Sequence, residues 1–144
     1  MKAVYVAPPP IRPTRRLTAR LAADVMSDPV DTIPADAPLD DALRAMVRLH
    51  HRHLVAVDRD GRCAGVLSDR AIAAEWARDP ASLPVRRVAS TLATRPAVVG
   101  PLATILDVAR FMRATGTDAV AVADTDGYPL GIVTGTDLVA LLAA

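Results

Sequence analysis

Cysteine, aromatic residues and net charge are all scarce in this chain. Cys63 is its single cysteine, which excludes an internal disulfide and any zinc centre built on several thiolates, and fits a reducing cytosol. Aromatics make up 3% of the 144 residues, so the core has to be assembled from Val, Leu, Ile and Ala. Seventeen Lys and Arg against 16 Asp and Glu leave a formal charge of +1, too weak a field to draw in nucleic acid or an anionic membrane. Arg12, Arg15, Arg16 and Arg20 form a small basic group, but no aromatics interleave with them, which argues further against nucleic acid. No stretch approaches the ~18 apolar residues of a membrane span. The three prolines at 8–10 end the first apolar run too early for the core of a secretion signal.

What the chain does have is a repeat. At an offset of 66, "GVLSDRAI" (65–72) faces "GIVTGTDL" (131–138), and "PLDDALRAMVRLH" (38–50) faces "TILDVARFMRATG" (104–116). Leu39, Ala42, Leu43 and Met46 recur at the i, i+3, i+4, i+7 spacing of an amphipathic helix, as do Ile105, Val108, Ala109 and Met112. "LVAVD" (54–58) and "VAVAD" (120–124) are apolar runs of strand length, each leading into Asp-Gly, a strong hairpin-turn signal. Each half therefore reads strand–helix–strand–strand–helix. Residues 1–18 read as a Pro- and Arg-rich arm, 19–80 as the first repeat and 81–144 as the second, with residues 77–87 as linker. Sixty residues bury too little surface to be comfortable alone, so the two halves are expected to pack on each other.

The ordered set resembles a tandem pair of CBS domains, the cystathionine-β-synthase-type module. Met26–Pro29, Leu39–Met46, Val57-Asp58 and Gly65–Ser68 carry the likeness in the first half. Pro96, Ile105–Met112, Asp124 and Gly131–Leu138 carry it in the second. The resemblance implies an α/β fold of two β-α-β-β-α repeats, related by a pseudo-twofold axis and packed sheet to sheet. It also implies a non-catalytic regulatory module. Such a module binds an adenine nucleotide or adenosyl ligand (AMP, ADP, ATP or S-adenosylmethionine) and acts through a conformational or dimer change on an unidentified regulated protein. The alternative is a ligand-free module for dimerisation or protein interaction. No cofactor or metal is required by either reading, a homodimer in the cytoplasm is expected, and no nucleophile–base pair or phosphate loop points to an enzyme.

The candidate site rests on Thr134 and Asp137, at a strand end and in the first turn of the helix that follows. Unpartnered N–H groups there favour an anion, and a carboxylate accepts hydrogen bonds from both hydroxyls of a ribose. The same two residues equally suit a helix cap. In the first half Ser68 keeps the hydroxyl, but Ala71 stands where Asp137 does and Asp69 sits two positions early, so that site is expected to be degenerate. His51, Arg52 and His53 precede a strand. They read either as a solvated helix C-terminus or, as the resemblance implies, as the bases that complete the Asp137 site. The resemblance also implies that backbone groups near Thr94 and Ala97 meet the adenine edge. His50 and His53 have helical spacing, but no placed carboxylate joins them as a metal site. Trp76 reads as a packing residue.

Overall fold

The computed structural model describes residues 19–143; the arm expected at 1–18 lies outside the described residues. The elements run α1 (Ala22–Val25), β1 (Thr32–Pro34), α2 (Leu39–Leu49), β2 (His53–Val57), β3 (Cys63–Ser68), α3 (Asp69–Arg78), a 3-10 turn (Val88–Thr91), β4 (Val98–Val99), α4 (Ile105–Thr115), β5 (Ala119–Ala123), β6 (Pro129–Thr134) and α5 (Gly135–Ala143). They form two three-stranded sheets, β1-β2-β3 and β4-β5-β6, each with one parallel and one antiparallel pairing. Both antiparallel ladders carry an irregularity at the same aligned place, between Ala56 and Val57 and between Val122 and Ala123. A shared defect of this kind supports a true duplication.

The helices form where the apolar spacing puts them. On α2, Leu39, Ala42 and Met46 are buried, while Leu43 sits at the margin. On α4, Ile105, Val108 and Met112 are buried, and Thr104 and Asp107 close a capping box at its start. Fully burying a Leu or Val contributes about 1.5–3 kcal/mol, and Leu39, Leu54, Leu67, Val108, Val120, Val122 and Val133 are all sealed from solvent. Trp76, expected to pack, is instead 55% exposed; it stands one turn beyond buried Ile72, in the last turn of α3.

The two hairpin turns differ from the expected form. Only their glycines, Gly61 and Gly127, take positive φ (82° and 92°). The strand-ending carboxylates brace the rest: Asp58 accepts from the N–H groups of Asp60 and Arg62, and Asp124 from those of Asp126 and Tyr128. Asp side chains stabilise turns by such local bonds.

The cores do not follow the halves drawn from the repeat. Leu83 and Val88 pack in the first core, with Leu92 against it, whereas Ala22 packs in the second, with Met26 beside it. Short backbone bridges seat these exchanged segments, Leu21 against Thr104 and Pro38 against Arg87. Those two bridges are themselves related by the 66-residue offset. Each repeat thus lends its leading segment to the other, and neither core is complete within one stretch of sequence.

Candidate functional site

One exchanged segment makes the site. Ser27 pairs with Ile132 of β6 through two backbone bonds, Ser27 N–H to Ile132 O at 2.9 Å and Ile132 N–H to Ser27 O at 3.1 Å. Gly131 permits this approach. A Cβ there would lie 2.6 Å from Met26 Sδ and 2.8 Å from Ser27 O. The close approach at this glycine is therefore made by the chain's own backbone. The aligned Gly65 meets only Leu92, at 3.5 Å or beyond.

The residues after Ser27 form one wall of a cleft of about 290 Å³, near the lower bound of the ~300–1,000 Å³ usual for small-molecule sites. His51, Arg52 and His53 form the second wall, and Thr134, Gly135, Thr136 and Asp137 the third. The cleft thus gathers the bases of the first repeat and the acid of the second.

Thr134 and Asp137 do cap α5. Asp137 Oδ2 accepts from Thr134 N–H at 2.8 Å and from its hydroxyl at 3.1 Å, and Thr134 Oγ1 accepts from Asp137 N–H at 3.3 Å. Capping and cleft lining coexist here, since both residues also face the cavity.

The histidine segment also has a double role. His51 N–H donates to Met46 O at 3.0 Å and His50 N–H to Val47 O at 3.4 Å, with His50 left-handed at φ 56°. This is a Schellman closure of α2; Gly116 takes the corresponding left-handed place after α4. Ending the helix here turns the next three side chains onto carboxylates. His51 Nδ1 lies 2.8 Å from Asp31 Oδ2, Arg52 Nε 3.1 Å from Asp69 Oδ2, and His53 Nε2 3.0 Å from Asp118 Oδ1. The last pair joins the two repeats. Burial alone would push the Asp118 carboxyl up. The His53 hydrogen bond and charge, its own backbone N–H and Arg70 outweigh that and hold it below the ordinary carboxylate value.

A second cleft of about 300 Å³ occupies the pseudo-symmetric position. Ser68 lines it and caps α3, accepting from Ala71 N–H at 3.2 Å. Ala71 packs against the first core, and Asp69 holds Arg52. Thr94 and Ala97 line neither of these clefts: Thr94 is exposed, and Ala97 packs on the second core, its carbonyl accepting from Ala121 N–H. The leading segment facing Asp137 belongs to the first repeat, as the exchange of segments requires. Sequence reasoning missed Asp31, Asp118 and the wall from Ser27 to Val30. Only Asp118 left a signal, since it stands opposite Arg52 in the repeat alignment and reverses its charge. Among the described residues, no group of three His, Cys, Asp or Glu could hold a metal ion, and no helix is long and apolar enough to cross a membrane.

Two sheets of identical wiring, exchanged leading segments and paired clefts define a tandem-repeat regulatory fold. The CBS domain family model matches residues 22–78 and again 85–144, and the chain belongs to that family. CBS pairs are regulatory, non-catalytic modules. A CBS domain-containing protein of Dictyostelium discoideum is 29% identical over 133 residues, covering 85% of this chain and 90% of its own. Among solved structures, the CBS domain pair of protein MJ0100, in complex with 5′-methylthioadenosine and S-adenosyl-L-methionine, superposes with a TM-score of 0.76. It is 21% identical and covers 87% of this chain and 97% of its own. The protein CBSX2, in complex with AMP, gives a TM-score of 0.71 at 24% identity, covering 86% and 96%.

Proposed function

We propose that this protein is a sensor of an adenosine-containing ligand, held in the cleft between the leading segment of the first repeat and the start of α5. The observation that carries this reading is the convergence of Asp137 and Thr134 with His51, Arg52 and His53 in one cavity. Asp137 accepts the ribose hydroxyls, while Thr134, Thr136 and the start of α5 meet the polar group on the 5′ carbon. The peptide edges of Pro29 and Val30 take the adenine. Structures of the same fold hold AMP, 5′-methylthioadenosine and S-adenosyl-L-methionine. The second cleft, with Ala71 where Asp137 stands, gives no grip on a ribose. Occupancy is therefore one ligand per chain. The reading places the module in the cytoplasm, where its one thiol stays reduced, and its output is a shift between conformations set by the ligand's differential affinity for them.

Titration calorimetry with AMP, ATP, S-adenosylmethionine and 5′-methylthioadenosine tests this. At least one compound saturates at a single site per chain, and Asp137→Ala abolishes the binding. Two equivalent sites, or undiminished binding to the variant, would refute the assignment.

Dimerisation is a second, compatible reading, supported by apolar side chains left on the outside. Val47 on α2 is 68% exposed, and Val139 and Leu142 on α5 are 65% and 72% exposed. Sedimentation should give twice the chain mass, falling to one with Val47→Lys and Leu142→Lys together.

A further inference from the structure

The two exchanged segments are held alike. Ile105 N–H donates to Arg20 O at 2.8 Å as Leu39 N–H donates to Arg86 O at 2.9 Å. Ala22 N–H donates to Ala103 O at 2.7 Å as Val88 N–H does to Ala37 O at 2.9 Å. Ala23 N–H to Pro101 O, at 3.1 Å, matches Ala89 N–H to Ala35 O, at 2.8 Å. Every one of these bonds is related to its counterpart by the 66-residue offset. The backbone at 20–23 therefore runs in register with the backbone at 86–89.

Just upstream of 86 the linker fills the first core. Leu83 is buried there with Leu39 and Ile72, and its carbonyl accepts from Asp40 N–H at 3.2 Å. Ser82 Oγ donates to Glu75 O at 3.3 Å, and the Glu75 carboxylate holds Arg78 and Arg86 at 2.6 and 3.5 Å. Carried over to the second repeat, this path meets Ile105, Leu138 and Leu141, the residues aligned with Leu39, Ile72 and Glu75. Their apolar seat is less well closed. Ile105 is 8% exposed where Leu39 is sealed, and Leu138 and Leu141 are half-buried where Ile72 is buried.

The same offset sets "RPTRRLT" (12–18) opposite "RDPASLP" (78–84), with Leu17 opposite Leu83. Leu17 is the one large apolar side chain between Ile11 and Leu21. We propose that residues 12–18 dock on the second repeat as residues 78–84 dock on the first, with Leu17 entering the seat between α4 and α5. The reach is sufficient. The backbone already meets α4 at Arg20, three residues on from Leu17, and the linker makes the same step from Leu83 to Arg86. Leu141 stands where Glu75 does, so no carboxylate at that place receives Arg12 or Arg20. Burial of Leu17 has to hold the segment, and burying a Leu outweighs an exposed ion pair. Docked there, residues 12–18 bear on α5, whose first turn carries Asp137 and forms one wall of the first cleft.

Thermal melting of the full chain tests this. Leu17→Ala should lower the melting temperature by about 5–10 °C, as truncation of a buried Leu does, and Leu83→Ala by as much or more. Ile11→Ala, outside the docked stretch, should stay within about 2 °C of the wild type. Leu17→Ala combined with Leu138→Ala should cost less than the two losses added, because both remove one shared contact. Trypsin reads the same contact in the wild type, and so keeps the test open if a variant fails to fold. Cleavage after Arg15 and Arg16 should be at least about tenfold slower than in a synthetic peptide of residues 8–23, since it has to wait for local opening. Wild-type melting of Leu17→Ala, or cleavage of the intact chain at the peptide's rate, would overturn the docking. A Leu17→Ala loss that varies with protein concentration would assign the segment to a second copy and overturn docking within one chain.

Discussion

Replacing Gly131 by Ala should be among the most damaging single-methyl additions in the molecule, although nothing about the backbone angle at 131 demands glycine. In open space such a change stabilises by about 0.4–1 kcal/mol, by restricting the unfolded chain. Here the new Cβ would meet Met26 Sδ at 2.6 Å, Met26 Cγ at 2.8 Å and Ser27 O at 2.8 Å. The methionine has rotamers with which to retreat, but Ser27 O is backbone and accepts from Ile132 N–H at 3.1 Å. Moving it a few tenths of an ångström weakens both bonds of that bridge, each worth about 0.5–1.5 kcal/mol. Overpacking of a filled site adds about 1–3 kcal/mol. After the entropic gain, the expected loss is about 2–4 kcal/mol, or roughly 5–15 °C in melting temperature at this size. Gly100→Ala is the control, since nothing lies within 4 Å of a Cβ there, and it should melt at the wild-type temperature or up to about 4 °C above it. Met26→Ala in the Gly131→Ala background should recover part of the loss and leave the share due to Ser27. The assay is thermal melting followed by circular dichroism, with adenosyl binding measured on the folded fraction. Equal melting of the Gly131 and Gly100 variants would refute the close packing of the leading segment on β6.

Two further outcomes are expected. The Asp118 carboxyl is held below its ordinary value, so its contribution to stability is present above the unfolded value of 3.8 and is lost as pH falls through the folded one. Asp118→Asn should therefore lower the melting temperature at about pH 6 and converge on the wild type as pH falls below the folded value, with a small gap because Asp118 is 62% exposed and exposed pairs contribute little; a gap that persists as the carboxyl protonates would show that the pair is not its source. Separately expressed fragments 19–80 and 81–144 should each be poorly folded and should gain helical signal on mixing, since Leu83 and Val88 complete the first core and Ala22 the second; a cooperative melt from either fragment alone would show that the exchange is dispensable.

The elements of the fold were legible because apolar spacing and turn residues are local signals. Helix α3 runs from Asp69 to Arg78, the span of its sequence pattern, and α5 starts at Gly135 directly after Thr134. The site was legible in part. Asp137 and the His51–His53 segment could be singled out one at a time, because each stands at the end of an element. What joined them could not be read. The exchange of leading segments is a tertiary choice with a faint local trace, so the segment expected beside the site was the one around Thr94 and Ala97, of the second repeat, and not the one after Met26. Nor does a sequence show that a base is already held. His51, Arg52 and His53 read as a solvated helix end or as bases for the Asp137 site, and the structure gives each of them a carboxylate from a different place, from just before β1, from α3 and from just before β5.

That pairing bears on why the duplication became unequal. A symmetric pair of repeats would carry the same residues on both sides of its axis, and the backbone here still does: Asp69 N–H donates to Arg52 O at 2.9 Å and Gly135 N–H to Asp118 O at 2.8 Å, the same bond in each half. The side chains at those four positions have diverged together. Arg52 faces Asp118 in the alignment and Asp69 faces Gly135, so the first half kept an ion pair where the second has a lone carboxylate beside a glycine. That lone carboxylate is the one His53 reaches across the axis, and His53 lines both clefts. A charge change at either cleft is therefore felt on the wall of the other. On the proposed reading Ala71 leaves the second cleft without a carboxylate for a ribose, while Asp118 ties the first cleft to the opposite repeat through His53. The second cleft is thus the far side of a contact whose two partners, His53 and Asp118, line both clefts.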